Sequence, residues 1–268
     1  MSTPLQIVVC GTLVPDPLQT LEPVAGPAGP SLKNEMMLPA VFDPWAAHAL
    51  FEAAHLAKQH AGSTIRVITL APKAKLQQVM MTVAQKLPFE LIPIDGPGGG
   101  FTDAVEVSEV LAATISGIAG LDKSQLLLFG GWESATRGAG CVIPMVAARL
   151  GIEDCFLAVD ELKIEDGALV IKERVEGGLH QVSRCAGPPA ALAWATGNLP
   201  EPANHPQTGM ANMRAMMPAL QRAKAAGLKG EGFAVTEARL PAQQRQTQIV
   251  KDKPAAEIAR ELLEWIKG

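Results

Sequence analysis

The chain has 268 residues, 48% of them hydrophobic and 19% charged, with a formal net charge of −4. That apolar content can bury one large core, or one domain with an extension. The mild acidity gives no electrostatic case for a nucleic-acid partner. No apolar run reaches the roughly 18–20 residues that a membrane span needs. Met1 to Leu5 lacks the basic start and apolar core of a secretory signal, so cytoplasmic residence is the expectation.

Gln6 to Cys10 is apolar and rich in β-branched residues, as in a buried strand. Thr12 to Leu38 is rich in Pro and Gly and reads as a long loop across the surface, a feature that is often functional. Asp43-Pro44 is a helix start, because Asp43 can cap orphan N–H groups and Pro44 suits the first helical position. An Ala-rich amphipathic helix follows from Trp45 to Gln59. The spacing then predicts strands over 64–70, 89–94 and 125–129, and helices over 73–86, 102–118 and 138–150. Such β-α-β-α alternation implies a parallel sheet covered by helices on both faces, a three-layer Rossmann-like α/β fold.

After Ile152 the pattern changes to strands over 156–164, 168–175 and 178–185, which suggests a hairpin added at the sheet edge. Residues 197–212 read as a linker, Met213 to Ala226 as a helix, and Ala255 to Lys267 as a last amphipathic helix. The expected division is an α/β domain over 1–196 and a C-terminal arm over 197–268.

The four cysteines, Cys10, Cys141, Cys155 and Cys185, form no C-x-x-C pair and read as reduced, partly buried thiols. Tyrosine is absent, so a redox or stacking role falls to a cofactor or to the four tryptophans. His48 and His55 lie two helical turns apart and could bind metal only with a third ligand from elsewhere; a polar or interface role is the better reading. No Ser sits in a G-x-S-x-G elbow, so a hydrolase triad lacks its anchor.

Gly130 to Gly140, GGWESATRGAG, lies after a predicted strand and before a predicted helix, where open α/β sheets bind ligands. Its glycines let N–H groups converge, Ser134 and Thr136 add hydroxyls, Arg137 adds charge, and the helix N-terminus favours an anion. A phosphate suits this loop, although a ligand-free turn with a capping hydroxyl is the alternative. The loop is neither a Walker A sequence nor the G-x-G-x-x-G fingerprint.

Over nearly its whole length the chain resembles the beta subunit of electron transfer flavoproteins. The resemblance rests on the opening IVVCGTLVPD, on Asp43-Pro44-Trp45-Ala46 and the helix after it, and on Glu176-Gly177-Gly178-Leu179. It also rests on Arg214-Ala215-Met216-Met217-Pro218, which is similar to the family's partner-recognition segment. The likeness implies an adenine-nucleotide-binding fold like that of the universal stress proteins. It implies an alpha subunit that holds most of a redox-active FAD, and a second nucleotide, usually AMP, in this chain. A second FAD replaces AMP in bifurcating members.

Carried over by the resemblance, the cofactor-binding residues are Cys10, Asp43, Pro44, Trp45, Ala46 and Leu70, with Gly131, Ser134, Ala135, Thr136, Arg137, Gly138, Ala139 and Gly140 of the loop. Met216, Met217 and Pro218 are expected to anchor a partner, with Arg222 and Lys224 steering it. Here the loop is shorter than in the family, and Asp43 replaces the commoner Asn.

The implied function is electron carriage from a flavin-dependent dehydrogenase to an acceptor such as a quinone oxidoreductase, without substrate chemistry of the chain's own. The readings set against it are a nucleotide hydrolase or ligase, and a stress-type nucleotide-binding module without flavin.

Overall fold

The computed structural model describes residues 4–26, 29–98, 102–136, 138, 140–230, 232 and 247–267. Its centre is a nine-stranded sheet that begins with β1 (Gln6–Gly11), buried on both faces. The excursion after β1 is not a plain loop. It contains β2 (Leu13–Pro15), the hairpin β3 (Pro23–Gly26) and β4 (Gly29–Leu32), a 3-10 turn at Glu35–Met37, and β5 (Ala40–Phe42), which pairs back onto β2. All but β5 carry Pro or Gly, and each is too short to show a period, so local sequence does not reveal them.

Helix α1 (Pro44–Gln59) starts as its cap dictates and buries Ala46, Ala49, Leu50, Ala53, Ala54 and Leu56, a helical stripe against the sheet. The chain continues through β6 (Thr64–Ala71), α2 (Lys73–Ala84), β7 (Glu90–Asp95), α3 (Ala104–Ser116) and β8 (Leu126–Gly131). Helix α4 (Val142–Arg149) starts four residues later than expected, because Gly138 and Gly140 both take left-handed φ values, +62° and +64°, which a right-handed helix does not contain.

The edge meander is β9 (Cys155–Glu165), β10 (Ala168–Arg174) and β11 (His180–Cys185). Strand β12 (Ala190–Trp194) then returns between β9 and β8. Sheet order is β11-β10-β9-β12-β8-β1-β6-β7-β13; the strands from β9 to β13 run parallel, and β10 and β11 are antiparallel.

The last part differs from expectation. Helix α5 spans Pro206–Gln221 rather than 213–226, and Lys224–Ala225 forms β13 on the sheet edge. Pro206 opens the helix, and buried Asn212 donates to Ala84 O (2.8 Å) and Leu87 O (2.6 Å). Residues 206–225 therefore pack as part of the α/β unit, and Ala226 and Leu228 pack against the core on its other face. Helices α1, α2 and α5 share one core layer, while α3 and α4 cover the opposite face. Helix α6 (Ala255–Lys267) buries none of its residues, leaving Leu262, Leu263, Trp265 and Ile266 exposed. No described helix is long and apolar enough to cross a membrane.

Candidate functional site

The chain leaves β1 towards β6 and β7 on one side and returns to β8 on the other. This places a topological switch point between β1 and β8, where parallel sheets open a crevice beyond the carboxyl ends of their strands. A cavity of about 700 Å³, counting the space at its mouth, lies there. The end of β1 contributes Cys10, Gly11 and Thr12, the end of β6 contributes Leu70, and the loop after β8 contributes Gly131, Glu133, Ser134 and Thr136. Asp43 and Ala46 close it from α1, Val107 and Leu111 from α3, and Val142 and Ile143 from α4.

Asp43 joins two parts of the site. Its Oδ1 accepts from Trp45 N–H at 3.0 Å, capping α1, and its Oδ2 accepts from Ala135 N–H at 3.1 Å in the loop 92 residues away. The side chain is 3% exposed. Burial raises its pKa above the ordinary carboxylate range, opposed by the amides of Ala135 and Trp45, the Ser134 hydroxyl and the Ala46 amide.

Within the loop, Ser134 Oγ lies 2.8 Å from Thr136 Oγ1 and accepts from Thr136 N–H, while Gly138 N–H donates to Ser134 O. Gly140 is required twice over: φ is +64°, and a Cβ would lie 2.7 Å from Trp132 O. Cys141 gives α4 no side-chain cap, so the first-turn N–H groups of Val142 and Ile143 have no intrahelical acceptor and suit an anion.

The opposite wall is tight. Thr12 Oγ1 lies 2.7 Å from Leu70 O and 3.1 Å from Gly98 O, and a Cβ on Gly98 would collide with Leu70 O and Thr12 Oγ1. Burial pushes the Cys10 thiol up to about 12, so it is a neutral apolar wall.

Of the residues carried over by resemblance, Cys10, Asp43, Ala46, Leu70, Gly131, Ser134 and Thr136 line one cavity. Ala135 is tied to it through Asp43, and Gly138 and Gly140 shape the turn into α4. Pro44 and Trp45 do not line it. Pro44 opens α1, and Trp45 packs against Gly131 and meets Trp132 edge-on at 6.2 Å between ring centroids. Arg137 and Ala139 lie outside the described residues. Sequence reasoning missed Gly11, Thr12, Gly98 and the apolar α3 and α4 residues as lining. Pro97-Gly98 was legible as a turn, and Val107 and Leu111 as one helical stripe.

The docking expectation needs a correction. Met216 is 1% exposed and belongs to the core, so it cannot anchor a partner while the domain is folded. Met217 is half-buried and packs against the same core. Pro218, Arg222 and Lys224 are exposed. As for the histidines, His55 Nε2 lies 2.8 Å from Pro200 O and His48 meets Phe51 edge-on.

A doubly covered parallel sheet with an apolar, loop-capped crevice at its switch point defines an α/β protein of the Rossmann-like class. Within that class, the family described as Electron transfer flavoprotein domain matches residues 34–226, and the chain belongs to this family. The matched region includes α1, the crevice loop, the edge meander and α5, so the crevice lies largely inside it. Membership makes this an electron transfer flavoprotein component, associated with flavin and with redox partners. Among curated proteins, none matches the chain.

Proposed function

We propose that the chain is the beta subunit of a cytoplasmic, heterodimeric electron transfer flavoprotein. It pairs with an alpha subunit that holds FAD, and keeps AMP in its own crevice. The assembly carries electrons from a flavin-dependent dehydrogenase to an acceptor such as a quinone oxidoreductase, and the chain performs no substrate chemistry itself. The observation that carries this reading is the crevice at the β1/β8 switch point of a chain belonging to this family.

The residues present fit a nucleoside monophosphate. Cys10, Leu70, Val107, Leu111 and Ile143 offer an apolar seat for a base, while Ser134, Thr136 and the open N-terminus of α4 offer donors for one phosphate. Two carboxylates, Asp43 and Glu133, share the lining, and they disfavour a longer run of phosphates. The exposed apolar face of α6 fits an arm that is buried only against another subunit. FAD, when bound by the alpha subunit, supplies the one- and two-electron chemistry; this chain positions, covers and docks.

The test is to co-express the chain with an alpha-type subunit and record the visible spectrum. Nucleotide released on denaturation is then separated and quantified. The expected result is a yellow heterodimer with one FAD and one AMP. Two FAD and no AMP would instead indicate a bifurcating type. A colourless, nucleotide-bound homodimer would overturn the carrier reading in favour of a stress-type module.

A further inference from the structure

The crevice has two unlike sides. The donors suited to a phosphate, Ser134, Thr136 and the N-terminus of α4, belong to the loop after β8 and the helix it leads into. A base is therefore directed to the opposite wall, where the ends of β1 and β6 meet the turn after β7. Of the described residues that offer it a seat there, Cys10, Thr12, Leu70, Gly98, Val107 and Leu111, Thr12 alone carries a side-chain oxygen.

Thr12 is held in one orientation. Its carbonyl accepts from Asp43 N–H at 2.9 Å, and its Oγ1 donates at 2.7 Å to Leu70 O, with Gly98 O 3.1 Å away. Both neighbours of the hydroxyl are carbonyl oxygens, which only accept, so its single proton is turned toward them and goes mainly to the nearer. Gly98 packs so closely on this corner that a Cβ there would collide with Leu70 O and Thr12 Oγ1. With the proton spent on the backbone, the lone pairs of Oγ1 are what Thr12 offers to the crevice. A wall of this kind matches a hydrogen-bond donor and opposes an acceptor.

We propose that Thr12 determines which base the crevice accepts: its Oγ1 accepts from the amino group of a 6-aminopurine and turns away a 6-oxopurine. This rests on the reading above that the crevice keeps AMP, and it names the residue that selects the base. Adenine presents a donor at the 6-position, whereas guanine and hypoxanthine present an oxygen whose lone pairs would face those of Thr12 Oγ1. A site built to pair a polar group discriminates well because the wrong ligand leaves that group unpaired in a water-poor cavity. The apolar seat gives affinity for any flat base; the single fixed hydroxyl gives the choice.

The test uses the heterodimer, unfolded in guanidinium and refolded with FAD and an equimolar pair of nucleoside monophosphates. The monophosphate retained after desalting is identified and quantified by chromatography. AMP should be retained over IMP by about tenfold or more. Purine riboside monophosphate, with only hydrogen at the 6-position, should fall between them, since it loses the bond without adding the clash of lone pairs. Thr12→Val keeps the shape and removes the acceptor, so the AMP-to-IMP ratio should fall about tenfold, while Thr12→Ser keeps the parental ratio. A merely structural role for Thr12 would lower retention of both nucleotides together; an unchanged ratio in Thr12→Val therefore overturns the inference. Where Thr12→Val does not refold, the parent alone decides: AMP and IMP retained equally, or AMP and purine riboside monophosphate retained equally, overturns it and leaves the AMP reading intact. A yellow heterodimer that retains no monophosphate overturns the AMP reading itself, and this inference with it.

Discussion

Asp43 is the side chain on which the crevice most depends, and its replacement is the sharpest test of the site. Asp43→Ala removes the acceptor for Trp45 N–H, a helix cap whose loss typically costs about 1 kcal/mol. It also orphans Ala135 N–H, whose bond to a carboxylate contributes about 1.5–3 kcal/mol. Against these stands the relief of a buried charge, which the raised pKa of Asp43 reports. The net expectation is a loss of about 2 kcal/mol, or roughly 4–8 °C in Tm for a chain of this size.

Asp43→Asn retains one carboxamide oxygen but turns an NH₂ toward the second N–H, so it should fall between parent and Ala. The sign with pH follows from linkage. Because the folded-state pKa is raised, the folded chain holds this proton more tightly than the unfolded one. The stabilisation from that proton is complete below the ordinary Asp value of about 3.9 and is lost as pH rises through the raised value. The Tm advantage of parent over Asp43→Asn should therefore shrink as pH rises across that window. Calorimetry of the three proteins across pH, with nucleotide content measured on each, is the assay. An Ala variant that melts with the parent, or an Asn variant below the Ala variant, would refute the two-bond latch.

Four further outcomes follow from the structure. Gly140→Ala combines a left-handed φ with a close approach to Trp132 O, so it should lower Tm and empty the crevice of nucleotide. Gly120→Ala, at φ +71° with nothing within 4 Å, should show the backbone strain alone, about 1–2 kcal/mol, and keep the nucleotide. Cys10, buried and with its thiol pushed up to about 12, should resist iodoacetamide in the folded protein while the half-buried Cys141 reacts; peptide mass spectrometry reads this directly. Trp265→Ala lies on an exposed helix face and should leave the melt of the isolated chain within about 0.5 kcal/mol of the parent. It should still weaken assembly with the alpha subunit, measured by sedimentation.

Much of this architecture is written locally. The Asp43-Pro44 start and the alanine stripe after it specify α1 without help from elsewhere. The β-branched run of β1 and the Gly-rich turn after β8 mark the strand ends between which the crevice opens. Capping, backbone freedom and apolar period are all short-range effects, and a sequence displays them directly.

What the sequence could not settle depended on partners far along the chain. Asn212 interrupts the apolar stripe of α5, and it is buried there only because Ala84 O and Leu87 O lie within reach, 128 and 125 residues earlier in the chain. The start of that helix was hidden for this reason. Met210, Met213, Met216 and Met217 are alike in type, yet packing against α2 and the sheet buries Met216 and leaves Met210 at the rim of a groove. In the crevice, Asp43 reads from sequence as a cap, and only the fold brings Ala135 to its second oxygen. Thr12 bridges the ends of two segments that meet only in the folded sheet, at Leu70 and Gly98. Local chemistry decides which element a residue joins. Which of its atoms meets a partner across the crevice is decided by the crossover that sets β8 beside β1.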